Sequence, residues 1–156
     1  MKKMLVYVDT SVFGGVFDPE FERASKAFFD RVRNGAFEVA ISPVVLDELN
    51  HAPAPVRHLF DELEPSFVRV DPGEAAYSLR SAYLEAHVVS ARWAMDALHV
   101  ATATVSGCRA IVSWNFQHIV NFKRIPLYNG VNQMQGYAAI AIHTPQEMAF
   151  DEEEEL

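Results

Sequence analysis

Three carboxylates stand at positions where an apolar element has no structural need of one. Asp9 ends the run Met4-Leu5-Val6-Tyr7-Val8 and is followed by Thr10 and Ser11, which puts it at the carboxyl edge of a strand, the usual ligand edge of an α/β sheet. Glu48 lies in Val44-Val45-Leu46-Asp47-Glu48-Leu49. Its neighbour Asp47 points about 100° away on a helix, so only one of the two shares a given face. Asp96 is embedded in Trp93–Val105, a segment apolar nearly all round that should pack against a sheet. A buried carboxylate there needs a cation, a metal or a hydrogen-bond network. Two of the acids also have a plainer use: Asp9 as a turn or helix cap, Glu48 as an exposed helix glutamate. Oxygen-rich clusters of carboxylates suit Mg²⁺ or Mn²⁺, ions that assist phosphodiester hydrolysis by activating water and neutralising the leaving oxygen. Such a site requires Asp9, Glu48 and Asp96 to converge within a few ångströms of a common point. Zinc arrangements are missing: there is one cysteine, no H-E-x-x-H, and His51, His58, His87, His99, His118 and His143 lack ligand spacing. His99, three residues after Asp96, shares its helix face and reads more readily as a satisfied core histidine than as a ligand.

The elements that must position these residues alternate along the chain. Continuous apolar runs at Met4–Val8, Phe37–Ile41, Phe67–Val70, Ala110–Val112 and Tyr137–Ile142 suit strands covered on both faces. Between them lie helical patterns with recurrent start signals. Asp18-Pro19 precedes Phe21, Ala24, Phe28 and Val32; Ser42-Pro43 opens the helix carrying Glu48; Val56 to Leu63 forms a short helix after Pro53 and Pro55. Asp71-Pro72 starts a helix running to Ala86, and Ser90 caps Trp93–Val105, which stops at Gly107. The order β-α-β-α-α-β-α-α-β-α-β predicts an α/β fold of three layers, α/β/α, with a central parallel sheet and right-handed crossovers. Residues 1–150 form a single domain and Asp151 to Leu156 an acidic, solvated tail. No glycine cluster forms a dinucleotide or P-loop fingerprint.

Bulk composition narrows the function. A formal charge of −8 over 156 residues argues against a protein that coats nucleic acid through basic surface, although a small basic groove is compatible with it. Cys108, alone, makes no internal disulfide and reads as a small buried filler rather than a nucleophile. The basic start Met1-Lys2-Lys3-Met4 mimics a signal peptide, but its apolar run stops at Asp9, and no run approaches a membrane span. The expected compartment is the cytoplasm.

One further segment bears on the acids: Ser113-Trp114-Asn115-Phe116-Gln117-His118-Ile119, directly after the strand Ala110–Val112. Leu5–Ser11, Ser42–Leu49, Asp96-Ala97-Leu98-His99-Val100-Ala101-Thr102-Ala103 and Ser113–Phe116, in this order, together resemble a PIN domain, most closely the VapC-like toxins of toxin–antitoxin pairs. The resemblance implies a compact α/β/α fold whose acids meet at one sheet edge, bind Mg²⁺ or Mn²⁺ and cut RNA, with a small antitoxin as partner and a homodimer as a frequent assembly. Asp9, Glu48 and Asp96 match three family acids and metal ligands; Thr10 or Ser11 matches the small hydroxyl residue supporting the first. The fourth acidic position, typically within Thr-x-Asp, reads Ser113-Trp114-Asn115, and asparagine keeps an oxygen but brings no charge. Three carboxylates can offset one divalent cation, which predicts one firmly held ion and stronger metal binding in Asn115→Asp. His118 could orient Asn115 if a helix begins there, contact phosphate, or simply pack. Trp114 and Phe116 could stack on bases or belong to the core. Arg23, Lys26, Arg31, Arg33 and Lys123-Arg124 suit a phosphate track or a solvated face equally. The functional reading is a metal-dependent endoribonuclease; the alternative is a PIN-fold RNA- or protein-binding module without turnover. A haloacid-dehalogenase-like phosphatase is a weaker rival, because Asp9-Thr10-Ser11 lacks the second aspartate two residues after the first.

Overall fold

Five short β-branched and aliphatic segments pair side by side into a wholly parallel sheet: β1 (Met4–Val8), β2 (Phe37–Ile41), β3 (Val68–Arg69), β4 (Ala110–Val112) and β5 (Ala141–His143), in the order β3-β2-β1-β4-β5. The structure is a computed structural model and describes residues 3–150, so the acidic run 151–156 and the first two residues lie outside it. Val6 is paired with Val39 on one side and Ala110 on the other, which makes β1 the central strand. It is buried accordingly: Val6, Tyr7 and Val8 are wholly covered, as a strand with helices on both faces must be.

The helices are α1 (Thr10–Gly15), α2 (Glu22–Arg33), α3 (Pro43–Leu49), α4 (Ala54–Leu63), α5 (Glu74–Glu85), α6 (Ala94–Val105), α7 (Arg124–Met134) and α8 (Pro145–Ala149). The helices pack in two groups: α1 with α2, α3 and α4, and α2 with α8, form one, and α5 with α6 and α7 the other. These groups and the sheet make the three-layer α/β/α arrangement. An aromatic cluster fills the first group, in which the Phe13 ring meets Phe29 at 5.1 Å, Phe60 at 5.5 Å and Phe67 at 6.1 Å. In the second, the buried Asn132 accepts from the Tyr83 hydroxyl at 2.5 Å and donates to Asn129 Oδ1 at 3.2 Å. Among the described residues no helix is long and apolar enough to cross a membrane.

Several element boundaries differ from the sequence expectation for identifiable reasons. Helices α1 and α8 escape it because each is very short; α1 is T-S-V-F-G-G, β-branched and glycine-rich, and forms because Asp9 caps it. Asp18-Pro19 does not cap α2. Asp18 Oδ1 accepts from Glu20 N at 2.9 Å and its carbonyl from Phe21 and Glu22, a turn that ends where the helix begins. Asp71-Pro72 likewise stops short of α5, whose first turn follows Gly73 at φ 62°. Ser90 opens a 3₁₀ turn, Ala91–Trp93, ahead of α6. The last strand loses Tyr137–Ile140 because Asn129 clamps Ile140, accepting from its N at 2.8 Å and donating to its carbonyl at 2.9 Å. Cys108 is buried, with its thiol pushed up to about 12 by burial, in keeping with a filler. Phe13→Ala should destabilise the domain by about 3–5 kcal/mol, read from the midpoint of chemical denaturation, because three ring contacts and a fully buried volume vanish together.

Candidate active site

Strand order reverses between β1 and β4: β2 and β3 follow β1 outward on one side, β5 follows β4 on the other. Connections leave the two neighbouring carboxyl ends in opposite directions, opening the crevice where α/β sheets bind ligands. Asp9 sits at this reversal, its backbone N donating to Val112 O at 3.2 Å across the gap. Its carboxylate is 4% exposed. Oδ1 accepts from Ser11 N at 3.1 Å and Ser11 Oγ at 2.5 Å, and Oδ2 accepts from Ser113 Oγ at 2.7 Å. The capping role is therefore real, and it is filled by a carboxylate at the mouth of the crevice. Burial pushes the Asp9 pKa up, while His99 and the two serine hydroxyls pull against it.

Glu48 is presented by α3, which Ser42 caps through Val45 N. Asp47 is exposed, as the helix geometry requires, and Glu48 faces the crevice. Its Oε1 accepts from Thr10 Oγ1 at 3.3 Å and pairs with His99 Nε2. His99 is itself buried, and its Nδ1 lies 2.7 Å from the Tyr7 hydroxyl, which is 2.8 Å from Ser42 Oγ. A continuous relay thus runs Ser42, Tyr7, His99, Glu48, Thr10 through four elements, α3, β1, α6 and α1. Burial disfavours a charged His99, but the bond to Glu48 and the charges of Asp9, Glu48 and Asp96 outweigh it and raise its pKa. For Glu48, burial is outweighed by the His99 bond and charge, and its pKa is lowered. His99 is the satisfied histidine the helix pattern suggested. Tyr7 was not anticipated; the available signal was a phenolic hydroxyl inside an otherwise aliphatic strand, which must find a partner when buried.

Asp96 is less enclosed than its segment suggested. Helix α6 is buried from Ala97 to Thr104, but its first turn emerges, and the Asp96 side chain is 27% exposed. An acid in that turn is also favoured by the helix dipole. Its partner is His118, whose Nδ1 lies 3.0 Å from Asp96 Oδ2 and whose ring stacks on Trp93 at 4.2 Å.

Residues 116–119 form a turn and not the start of a helix. Asn115 Oδ1 accepts from His118 N at 3.0 Å, and Asn115 N donates to Ser113 Oγ at 2.9 Å. Tyr128 of α7 closes the turn from behind, donating to His118 O at 2.8 Å. The asparagine oxygen is therefore engaged in shaping the loop that carries an imidazole to Asp96.

All three carboxylates lie within electrostatic reach of His99. Among the described residues, however, no three His, Cys, Asp or Glu side chains close around a single point. The donors are of the hard, oxygen-rich kind that a divalent cation takes.

The PIN domain matches residues 6–118, a span that contains every site residue from Tyr7 to His118. The chain belongs to the PIN domain family. Solved structures resembling this PIN domain include VapBC2 from Rickettsia felis bound to a DNA fragment from their promoter, with a TM-score of 0.60, 15% identity and 90% of this chain aligned to 98% of that one. FitAcB from Neisseria gonorrhoeae gives a TM-score of 0.54 at 15% identity over 90% of this chain and 97% of the other. FitAB bound to an IR36 DNA fragment gives 0.55 at 14% identity, over 90% and 95%. At such identities the likeness is one of fold. No curated protein matches the sequence.

The His99–Glu48 pair makes a pH prediction. His99, raised above its ordinary 6.5, contributes stability that is complete below that value and lost as pH climbs through the folded pKa. Glu48, lowered from 4.5, contributes stability present above that value and lost as pH falls through its folded pKa. Facing groups are Tyr7, Asp9 and Asp96. In EDTA, the difference in Tm between the protein and His99→Gln should be largest between 4.5 and 6.5 and shrink at alkaline pH. A difference independent of pH would mean that the pair is neutral.

Proposed function

We propose that this PIN domain is a metal-dependent endoribonuclease that hydrolyses RNA phosphodiester bonds in the cytoplasm and serves as the toxin of a toxin–antitoxin pair. The observation that carries the reading is the clasping of the buried Asp9 by Ser11 and Ser113 at the strand-order reversal, with Glu48 tied to the adjoining Thr10 and to His99. The structural neighbours support the pairing with an antitoxin, since VapBC2 and FitAB are toxin–antitoxin complexes. A homodimer fits the same reading.

The chain's own residues would position and hold. Ser11 and Ser113 grip both oxygens of Asp9, His99 and Thr10 set the Glu48 carboxylate, and His118 sets Asp96. Mg²⁺ or Mn²⁺ held by Asp9, Glu48 and Asp96 would supply an activated water and neutralise charge on the leaving oxygen. Three carboxylates balance one such ion, and the neutral Asn115 leaves a second without charge compensation. The alternative, a binding module without turnover, has one observation behind it: every acid already has protein partners.

Cleavage of a single-stranded RNA in Mg²⁺ decides between them. Activity should vanish in EDTA and in Asp9→Asn, Glu48→Gln and Asp96→Asn, and Ser113→Ala should lose roughly 10–100-fold. Activity indifferent to all of these sinks the metal mechanism. Isothermal titration with Mn²⁺ should show one tight site in the free protein, strengthened in Asn115→Asp, where a carboxylate keeps the bond to His118 N and adds charge. Two tight sites in the free protein would refute the single-ion reading, and an unchanged affinity in Asn115→Asp would mean that position 115 is not a ligand.

A further inference from the structure

The net charge of −8 leaves little general attraction for a polyanion, so an RNA-cutting reading needs affinity from something other than phosphates. Three aromatic rings at the rim of the acid crevice can supply it. Phe21 and Trp114 stack with centroids 4.3 Å apart and planes at 23°. The Phe116 ring leans against both, at 6.2 Å from Phe21 and 6.1 Å from Trp114, and Phe116 is 49% exposed.

This platform is fixed from beneath. The Trp114 indole donates to the buried Ser25 Oγ at 2.9 Å. A Cβ on Gly15 would stand 2.7 Å from the indole nitrogen and 2.5 Å from that hydroxyl, so only glycine admits the ring there. The Trp114 backbone N donates at 2.9 Å to Ser11 Oγ, the same hydroxyl that donates to Asp9. Two hydrogen bonds therefore separate the tryptophan from the Asp9 carboxylate. On the outer side, Asn121 Nδ2 holds the Phe116 carbonyl at 3.1 Å.

The geometry points to Phe116, backed by Trp114 and Phe21, as a stacking subsite for an unpaired nucleobase of the substrate, next to the phosphate presented to Asp9. The inference rests on the nuclease reading. A flat ring without aligned donors or acceptors takes any base, so the subsite supplies affinity and registers the backbone without reading sequence. It also requires a single strand, because a base inside a duplex has both faces covered by its stacked neighbours.

The test uses the full chain carrying Asp9→Asn, in Mg²⁺, with a fluorescein-labelled single-stranded RNA of mixed sequence and an abasic sugar-phosphate oligomer of equal length. Adding Phe116→Ala should weaken RNA binding about fivefold or more, as loss of one stacked base predicts. Phe116→Leu, which keeps apolar bulk on a half-exposed position, should lose nearly as much, Phe116→Trp should retain affinity, and the abasic oligomer should bind all variants alike. Equal RNA affinity in Phe116→Ala, full affinity in Phe116→Leu, or the same losses on the abasic oligomer would each overturn the subsite. So would a change in self-association by gel filtration with RNA affinity untouched, which would assign the ring to a protein interface. RNA cleavage by the unmutated chain separates the two readings. Cleavage with Phe116-independent binding removes the subsite alone, Phe116-dependent binding without cleavage removes the nuclease alone, and neither binding nor cleavage removes both.

Discussion

A carboxylate buried to 4% exposure at the end of the central strand is the constraint around which this end of the molecule is built. Left without partners, Asp9 would cost several kcal/mol or would simply take up a proton. Its partners are neutral donors: Ser11 from the cap of α1 and Ser113 from the end of β4. Neutral donors stabilise the charge without cancelling it, so the negative potential survives for a cation or a reacting group to use. Much of the local architecture follows. Helix α1 starts where Asp9 can cap it, and Ser113 reaches Asp9 because β1 and β4 are neighbours in register at Val8 and Val112.

The other two acids are steadied differently, each by an imidazole whose own orientation is held elsewhere. His99 is locked by Tyr7, and Tyr7 by Ser42 at the start of α3. His118 is locked by the Trp93 ring, by the Asn115 cap on its backbone and by Tyr128 beneath its carbonyl. Hydrogen bonds to charged groups contribute about 1.5–3 kcal/mol each, and more is lost when one partner is removed and the other stays buried. The two histidines thus act as spacers of fixed orientation that keep Glu48 and Asp96 apart from Asp9 and from each other.

How much of this could be read from the chain depended on how local the cause was. The five strands were legible because a parallel sheet covered on both faces leaves continuous apolar runs, and Asp9 and Glu48 because a polar residue beside such a run is conspicuous. The Ser42-Pro43 start of α3 was legible for the same reason: cap and first helical residue are adjacent. Asp18 and Asp71 show the limit, since an Asp-Pro pair suits a turn as well as a cap and only the following backbone decides. What Asn115 does was beyond sequence reach, because its bond to His118 depends on a turn closed by Tyr128 of a later helix. Tyr7 was hidden as well, since its partners lie 35 and 92 residues away.

The strand-order reversal also sets a schedule. As the polypeptide leaves the ribosome, Asp9 and Glu48 emerge with β1, β2 and α3, but Asp96 comes well past the midpoint of the chain and Ser113 only after two-thirds of it, and the strand that delivers Ser113 must insert beside β1. Until then Asp9 lacks one of its clasps, Trp114 has not filled the space that Gly15 leaves, and the crevice has a single wall. A nascent chain therefore carries half a site, and the crevice gains its second wall only once β4 has been made and has inserted beside β1.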